Sequence, residues 1–491
     1  MKKSAQFMAK SPVLTGRGWG LVGSGVVSLL GAQVLGRRDL LLLGLFLILM
    51  PLASALALRL LKPQFSVQRT FRPSTAETGT PVSVGLAVHP VKPFGGTARM
   101  TEGLPARFGT SPEFRFPAAR THAGHASRYE YRLRSSRRGL YRIGPVSAGF
   151  LDPFGLAVVR HTIGGTDDLV VKPVPVELPS AVLDGLRGSD GSVSTRVQGV
   201  PSQDDVTTRE YRHGDPMRRV HWSATARHGE LMVRQEETVA TPRATLVLDQ
   251  RESSYDQGFL SPFWSESADD AAPASSESFE WAVSAVMSIG ADLLERGFAV
   301  RLLDAQARPG LQRSPSSADP DAALFSGAAA VGDLGEGLAA LGLEEADAAS
   351  GPRPRSGART LRTLRRAGSP RPAGAHPHPE RSMHPGQPAK QPFGGVLLEA
   401  LLDARHRGPL VVITGVLSEE DARRLAPAAE AVPSALALVV TERPAASGAQ
   451  LALLRAAGWT AEAVAPSQPV AAAWSGAAEH AAALLQPGHR P

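Results

Sequence analysis

The densest run of groups able to do acid–base or charge chemistry lies between Arg209 and Glu237, with six arginines, five acids and three histidines (His213, His221, His228). His221 with Asp215 or Glu236 could form a general acid–base pair of the kind a hydrolase or nuclease uses. No nucleophile accompanies them, so catalysis is the weaker reading. The net charge of the stretch, about +1, does not make a phosphate-binding patch. Many guanidiniums among nearly as many carboxylates suit a network of charge-assisted hydrogen bonds, with Arg209, Arg218, Arg227 and Arg234 as forks and Glu236 among the acceptors. Such a network would join two domains, and a docking or ligand surface is the alternative. Asp215, between Gly214 and Pro216, suits a turn, and Trp222 suits a core position.

Asp249 is the second candidate. It ends the apolar run Ala244–Leu248, which reads as a buried parallel strand. Ligands of open α/β sheets sit at the C-terminal ends of such strands. Other chemistries are excluded. The chain has no cysteine, which removes thiol nucleophiles, disulfides and Cys-ligated zinc or iron–sulfur sites. No P-loop, HExxH, GxSxG or EF-hand pattern occurs.

These residues need elements to position them. Of 491 residues, 53 are basic and 46 acidic, for a net charge of +7. Residues 1–72 carry +9 and residues 350–392 carry +8, so the remainder is acidic at −10. The basic excess is therefore not a nucleic-acid footprint, and no specific nucleic-acid partner is expected. Gly18–Gly36 and Leu40–Leu58 are each free of charge. At 1.5 Å per residue each spans about 28 Å, enough for a bilayer core. Only Arg37, Arg38 and Asp39 separate them, so they predict an antiparallel transmembrane hairpin. Eight flanking Lys/Arg against two in the loop place both termini in the cytoplasm. The Gly18, Gly20, Gly23 pattern is read as small residues for helix packing.

From Phe65 to about Leu178, short alternating segments such as Pro81–Val88 predict a β-sandwich or small barrel. Asp152-Pro-Phe-Gly-Leu156 reads as a tight turn with a buried aromatic. From residue 243, strands at 244–249, 298–303, 410–414 and 435–440 alternate with helices at 279–296, 393–405, 418–430 and 450–457. This predicts a doubly wound parallel sheet. Residues 306–392 interrupt it as a polar, proline-rich insert expected to be disordered, with a short helix near 331–343.

Tyr211, Gly214-Asp215-Pro216, His221-Trp222, Thr225-Ala226-Arg227, Leu231 and Val233-Arg234 resemble the signature of the DUF58 family. Arg138-Gly-Leu-Tyr141 and Asp152-Pro-Phe-Gly-Leu156 resemble its N-terminal half. The resemblance implies a membrane-tethered protein with a von Willebrand factor A-like C-terminal region, working beside MoxR-type AAA+ ATPases. Von Willebrand A domains bind Mg²⁺ through Asp-x-Ser-x-Ser. Here Asp249 and Ser253 match, while Arg251 replaces the middle serine and could satisfy Asp249 itself. The later strand ends Thr414-Gly415 without the family's aspartate, so a metal-free remnant is expected rather than a Mg²⁺ site. The expected architecture is thus a hairpin (residues 1–62), a β-sandwich-like domain (63–180), the signature (181–242) and a von Willebrand A-like domain (243–491). The expected function is that of a non-enzymatic membrane adaptor. A metal-dependent recognition domain and a hydrolase using His221 are the alternatives.

Overall fold

A computed structural model describes residues 13–61, 64–91, 97–117, 126–179, 208–211, 217, 220–234, 242–255, 274–344, 391–402 and 408–485. A two-residue strand, β1 (Val13–Leu14), leads into helix α1 (Gly16–Leu35), and α2 (Arg38–Leu61) returns beside it. Thr15 caps α1 by accepting the Gly18 N–H at 3.2 Å, and Gly36 ends it in the left-handed region. Both helices are long and apolar enough to cross a membrane, and side chains such as Leu42 and Phe46 are exposed around them. They cross at Gly25 and Gly44. A Cβ on Gly25 would lie 2.6 Å from Ile48 Cγ1 and 2.9 Å from the Gly44 carbonyl oxygen. This corrects the expectation for the earlier glycines. Gly20 and Gly23 meet nothing within 4 Å, and Gly18 packs against the Leu156 carbonyl of the β-domain. The helices approach closely only farther along α1, so glycine is required there.

The β-domain contains β2 (Phe65–Arg72), β3 (Ala76–Glu77), β4 (Pro81–Pro90), β5 (Ala98–Glu102) and β6 (Glu113–Phe116). It continues through β7 (Ser127–Arg134), β8 (Gly139–Ile143), β9 (Val146–Leu151), β10 (Ala157–Ile163) and β11 (Asp167–Lys172). Strand β4 buries Val82, Val84, Leu86 and Val88 on one face, as its alternation requires. That face of the β2-β4-β7 sheet shares one core with the sheet β1-β10-β9-β5-β6 and another with β3-β11-β8. Leu58 of α2 is buried in the first core beside Phe65, Phe150 and Ala157. The hairpin and the β-domain are therefore packed into each other.

Three short elements follow: β12 (Thr208–Glu210), α3 (Trp222–His228) and β13 (Met232–Arg234). The C-terminal part then runs β14 (Arg243–Leu248), α4 (Glu252–Tyr255), α5 (Glu277–Glu295), β15 (Ala299–Asp304), β16 (Leu324–Phe325) and α6 (Ala330–Ala339). After these come α7 (Gly395–Leu402), β17 (Leu410–Thr414), α8 (Glu419–Leu425), β18 (Ala435–Val440), α9 (Gly448–Ala456), β19 (Thr460–Val464) and α10 (Val470–Leu485). The sheet order is β16-β15-β14-β17-β18-β19, parallel throughout except for β16. Helices α5, α6 and α10 cover one face and α7, α8 and α9 the other. Ser418 caps α8 by accepting the Asp421 N–H at 3.0 Å.

The expected disorder of 306–392 fails over its first part. Residues 306–344 carry β16 and α6, and Leu311, Leu334, Leu338 and Leu341 are fully buried in the sheet core. Leu334 and Leu338 share one face of α6 and Leu341 follows just past its end, and that apolar pattern outweighs the polar residues around it. Residues 345–390, with His376, His378 and His384, lie outside the described residues.

Candidate functional site

The signature is built around a small antiparallel pair. Strand β12 aligns with β13, with Arg209 opposite Val233, and Val220 also bridges to Val233. Tyr211 and His221 donate their backbone N–H groups to Leu231 and Met232, each at 2.8 Å. Helix α3 is then capped at both ends. His221 Nδ1 accepts the Ala224 N–H at 3.1 Å and lies 3.0 Å from Ser223 Oγ. Gly229, left-handed at φ +77°, closes the C-terminus beside Arg227 and His228. Thr225 Oγ1 receives the Met232 N–H at 3.0 Å, tying helix to strand. His221 thus uses one ring nitrogen as a helix cap. Gly214, Asp215, Arg218 and Glu236, and with them both carboxylates suggested for an acid–base pair, lie outside the described residues.

Trp222 departs from expectation. It is 65% exposed, with Met217 at 55% and Leu231 at 39%. Trp222 opens a helix of seven residues, too short to bury a side chain of that size against a two-stranded ribbon. An exposed tryptophan with two further apolar neighbours in the signature is a surface suited to another molecule.

At the C-terminal end of β14, Asp249 is fully buried. Its Oδ1 accepts from the Arg251 backbone N–H (3.1 Å) and Arg251 Nε (2.9 Å). Its Oδ2 accepts from an Arg251 terminal nitrogen (2.8 Å), Ser254 Oγ (2.7 Å) and Thr414 Oγ1 (3.0 Å). The remaining Arg251 nitrogen donates to Asp421 at 3.1 Å, and the guanidinium sits 5.2 Å from the Phe393 ring centroid. Burial pulls the Arg251 pKa down. The hydrogen bonds and charge of Asp249, with those of Asp421, overcome that and hold it above the ordinary guanidinium value. Burial, reinforced by the Asp249 charge, likewise pushes the Tyr255 hydroxyl well above its ordinary value.

The serine that meets Asp249 is Ser254, not Ser253. The chain turns helical at Glu252, which leaves Ser253 exposed and brings Ser254 back onto the carboxylate. A Mg²⁺ site needs several free oxygens around the ion. Here both Asp249 oxygens are occupied by donors. Among the described residues no three His, Cys, Asp or Glu side chains cluster to hold a metal. The donor set fits an internal guanidinium rather than a divalent cation.

Residues 207–261 match the family model described as "Protein of unknown function DUF58". This stretch carries the DUF58 signature. The DUF58 match begins at β12 and runs past α4, so the capped helix and the Asp249–Arg251 pair belong to one continuous segment. No curated protein matches the chain. Among solved structures, the Pseudomonas fluorescens alkylpurine DNA glycosylase AlkC bound to DNA containing an abasic site analog aligns at 12% identity. That alignment covers 27% of this chain and 38% of that chain, with a TM-score of 0.14, too low to bear on fold or function.

A third polar cluster lies outside the DUF58 match. Arg138 is 5% exposed. Its Nε and one terminal nitrogen form a two-pronged pair with Glu280 of α5, at 3.0 and 2.8 Å. The other terminal nitrogen donates to the carbonyls of Leu338 (2.6 Å), Ala339 (3.3 Å) and Leu341 (2.7 Å). Leu338 and Ala339 end α6, where a cation is favoured, and Leu341 follows just past it. Tyr141 supports the fork by donating to the Arg137 and Arg138 carbonyls at 2.9 and 3.1 Å. A Cβ on Gly139 would come within 3.0 Å of the Tyr141 ring, so the close approach needs glycine. The charge-assisted joint between β-domain and α/β region is therefore made by Arg138-Gly-Leu-Tyr141. The sequence singled out this four-residue segment but not its distant partners.

Proposed function

We propose that the protein is a membrane-anchored, non-enzymatic adaptor whose cytoplasmic body docks a protein partner through the DUF58 signature. The observation that carries this is the exposure of Trp222, Met217 and Leu231 on a ribbon and helix otherwise closed by caps. Exposed aromatics in a rigid setting are the residues that anchor protein interfaces. The hairpin is the anchor, and the excess of Lys/Arg at its open end supports a cytoplasmic body. The C-terminal sheet, with its 3-2-1-4-5-6 order and antiparallel third strand, supports a doubly wound, von Willebrand A-like domain. In this reading Arg251 takes the place of the metal, and the domain is a scaffold.

The partner proposed from the DUF58 resemblance is a MoxR-type AAA+ ATPase. In-cell photo-crosslinking from position 222, and a pull-down with ATP, should recover an AAA+ protein. Trp222→Ala should weaken recovery while leaving the chain folded. If the ATPase is absent from both experiments, the partnership is wrong. Calorimetry with Mg²⁺ and Mn²⁺ should give no binding heat; heat abolished by Asp249→Ala would restore the metal-dependent alternative. His221→Asn can still cap α3 but cannot act as a base. An activity lost in that variant with α3 intact would favour the hydrolase alternative.

A further inference from the structure

The Asp152–Leu156 turn was expected to bury its aromatic, yet Phe154 is 61% exposed. The turn is rigidly made. Asp152 is 6% exposed and accepts the N–H groups of Phe154 (3.1 Å) and Ala157 (2.6 Å) through its carboxylate. Gly155 turns at φ +69°, a left-handed conformation suited to glycine. A side chain held outward on so constrained a loop has a use that the core does not supply.

Its place in the fold indicates that use. Thr15, the cap of α1, donates its hydroxyl to the Gly155 carbonyl at 2.7 Å and its N–H to the Leu156 carbonyl at 2.8 Å. Strand β1 adds to the edge of β10, so the turn abuts the point where α1 begins. Trp19, one turn into α1, is 62% exposed, as a tryptophan at a bilayer interface would be. Val13, Val158 and Leu151 are register partners across three adjacent strands, so they share the outward face of this sheet. Val13 is 61% and Leu151 36% exposed. One step farther from the hairpin, the same face presents Arg160 opposite Gly149, and Arg99 opposite Gly149 on the next strand. Both arginines are exposed, and among the described residues Arg99 makes a long pair with Glu113 at 3.9 Å. The face thus grades from apolar beside the helices to cationic above, matching the acyl boundary and the phosphates of a bilayer.

We propose that this face is a membrane-contact surface. Phe154, with Val13, Leu151 and Val158, enters the lipid interface, and Arg160 and Arg99 lie at headgroup phosphates. This rests on the hairpin spanning the membrane. It adds that the β-domain is seated on the bilayer in a fixed orientation rather than swinging from a tether. Phe154 acts as the wedge that sets that orientation.

The chain has no cysteine, so a single introduced cysteine is a unique labelling site. The full chain would be reconstituted in phosphatidylcholine/phosphatidylglycerol vesicles with an environment-sensitive fluorophore at Phe154→Cys, Phe46→Cys or Ser74→Cys. Phe46 lies mid-span, and Ser74 is exposed beyond the end of β2 remote from α2. Nitroxides near the headgroup should quench the label at 154 more than nitroxides near the chain ends, with a blue shift in emission. The label at 46 should show the reverse order, and the label at 74 neither effect. Quenching at 46 with none at 154 would overturn the proposal and leave the hairpin standing. No quenching at 46 would remove the hairpin reading and the proposal with it. A second chain, labelled at Arg160→Cys, should lose its shallow quenching when Phe154→Asp is added. Unchanged quenching there would show that Phe154 is not the wedge.

Discussion

At residue scale, the recurrent device is arginine as an internal cation. Arg251 closes Asp249 and Asp421, Arg138 closes Glu280 and the end of α6, and buried Arg69 pairs with buried Glu102 at 2.9 Å. Removing one member of a buried pair costs about 3–5 kcal/mol, because the other charge is left without a partner. Arg251→Ala should therefore destabilise the C-terminal sheet by roughly that amount, seen as a lower urea midpoint read from the buried Trp459 and Trp474. An unchanged midpoint would mean that water or an ion replaces the guanidinium without cost. His161 gives a pH dependence. It is 6% exposed, and burial lowers its pKa. The unfolded chain then binds a proton that the folded chain resists. Stability should fall as pH drops through the ordinary imidazole value of about 6.5 toward the folded value. His161→Leu should flatten this slope in urea titrations at neutral and mildly acidic pH. The sequence marked Asp249 and Arg251 as partners because they are two residues apart. It could not mark Asp421, which lies 170 residues away and arrives only through the sheet.

At element scale, the hairpin is set by where its helices touch. Gly25 and Gly44 let the backbones meet, and close small-residue contacts supply packing where lipid removes any hydrophobic drive. Gly25→Leu should separate the helices, seen as faster proteolysis of the 36–38 loop in membranes; protection equal to wild type would place the crossing elsewhere. The element boundaries were largely legible. Charge-free runs located α1 and α2, alternation located β4, and apolar runs located β14, β17 and β18. The short helix near 331–343 was legible as α6, but the burial of the insert's first part was not, because Leu311 and Leu334 are core only once β15 and α5 stand beside them. Trp222 was misplaced for the complementary reason. A tryptophan is core by habit, but among the described residues this seven-residue helix leaves Trp222 exposed.

At the scale of the whole molecule, three bodies are joined by specific contacts. Leu58 is buried in the β-domain core, and Arg138 locks the β-domain to the α/β sheet. The chain after β11 continues across α5, with the Val176 N–H on Ser288 Oγ at 3.0 Å. Motion between these bodies should depend on Arg138. Arg138→Ala should raise hydrogen exchange at the C-terminus of α6 and the N-terminus of α5 together, while the remote strands β18 and β19 stay protected. Exchange unchanged at both helix ends would show that apolar contact alone holds the domains.

Length, charge and apolar periodicity are properties of the chain itself. They were enough to place two apolar spans at its N-terminal end, a β-rich middle and an alternating α/β remainder. They also located the basic excess in two segments, residues 1–72 and 350–392. Only tertiary structure decided which residues satisfy which. Ser254 rather than Ser253 meets Asp249, Arg138 joins the domains, and Phe154 faces outward beside the start of α1. The reason is physical: burial and hydrogen bonding depend on three-dimensional neighbours, and here those neighbours lie as many as 203 residues apart along the chain.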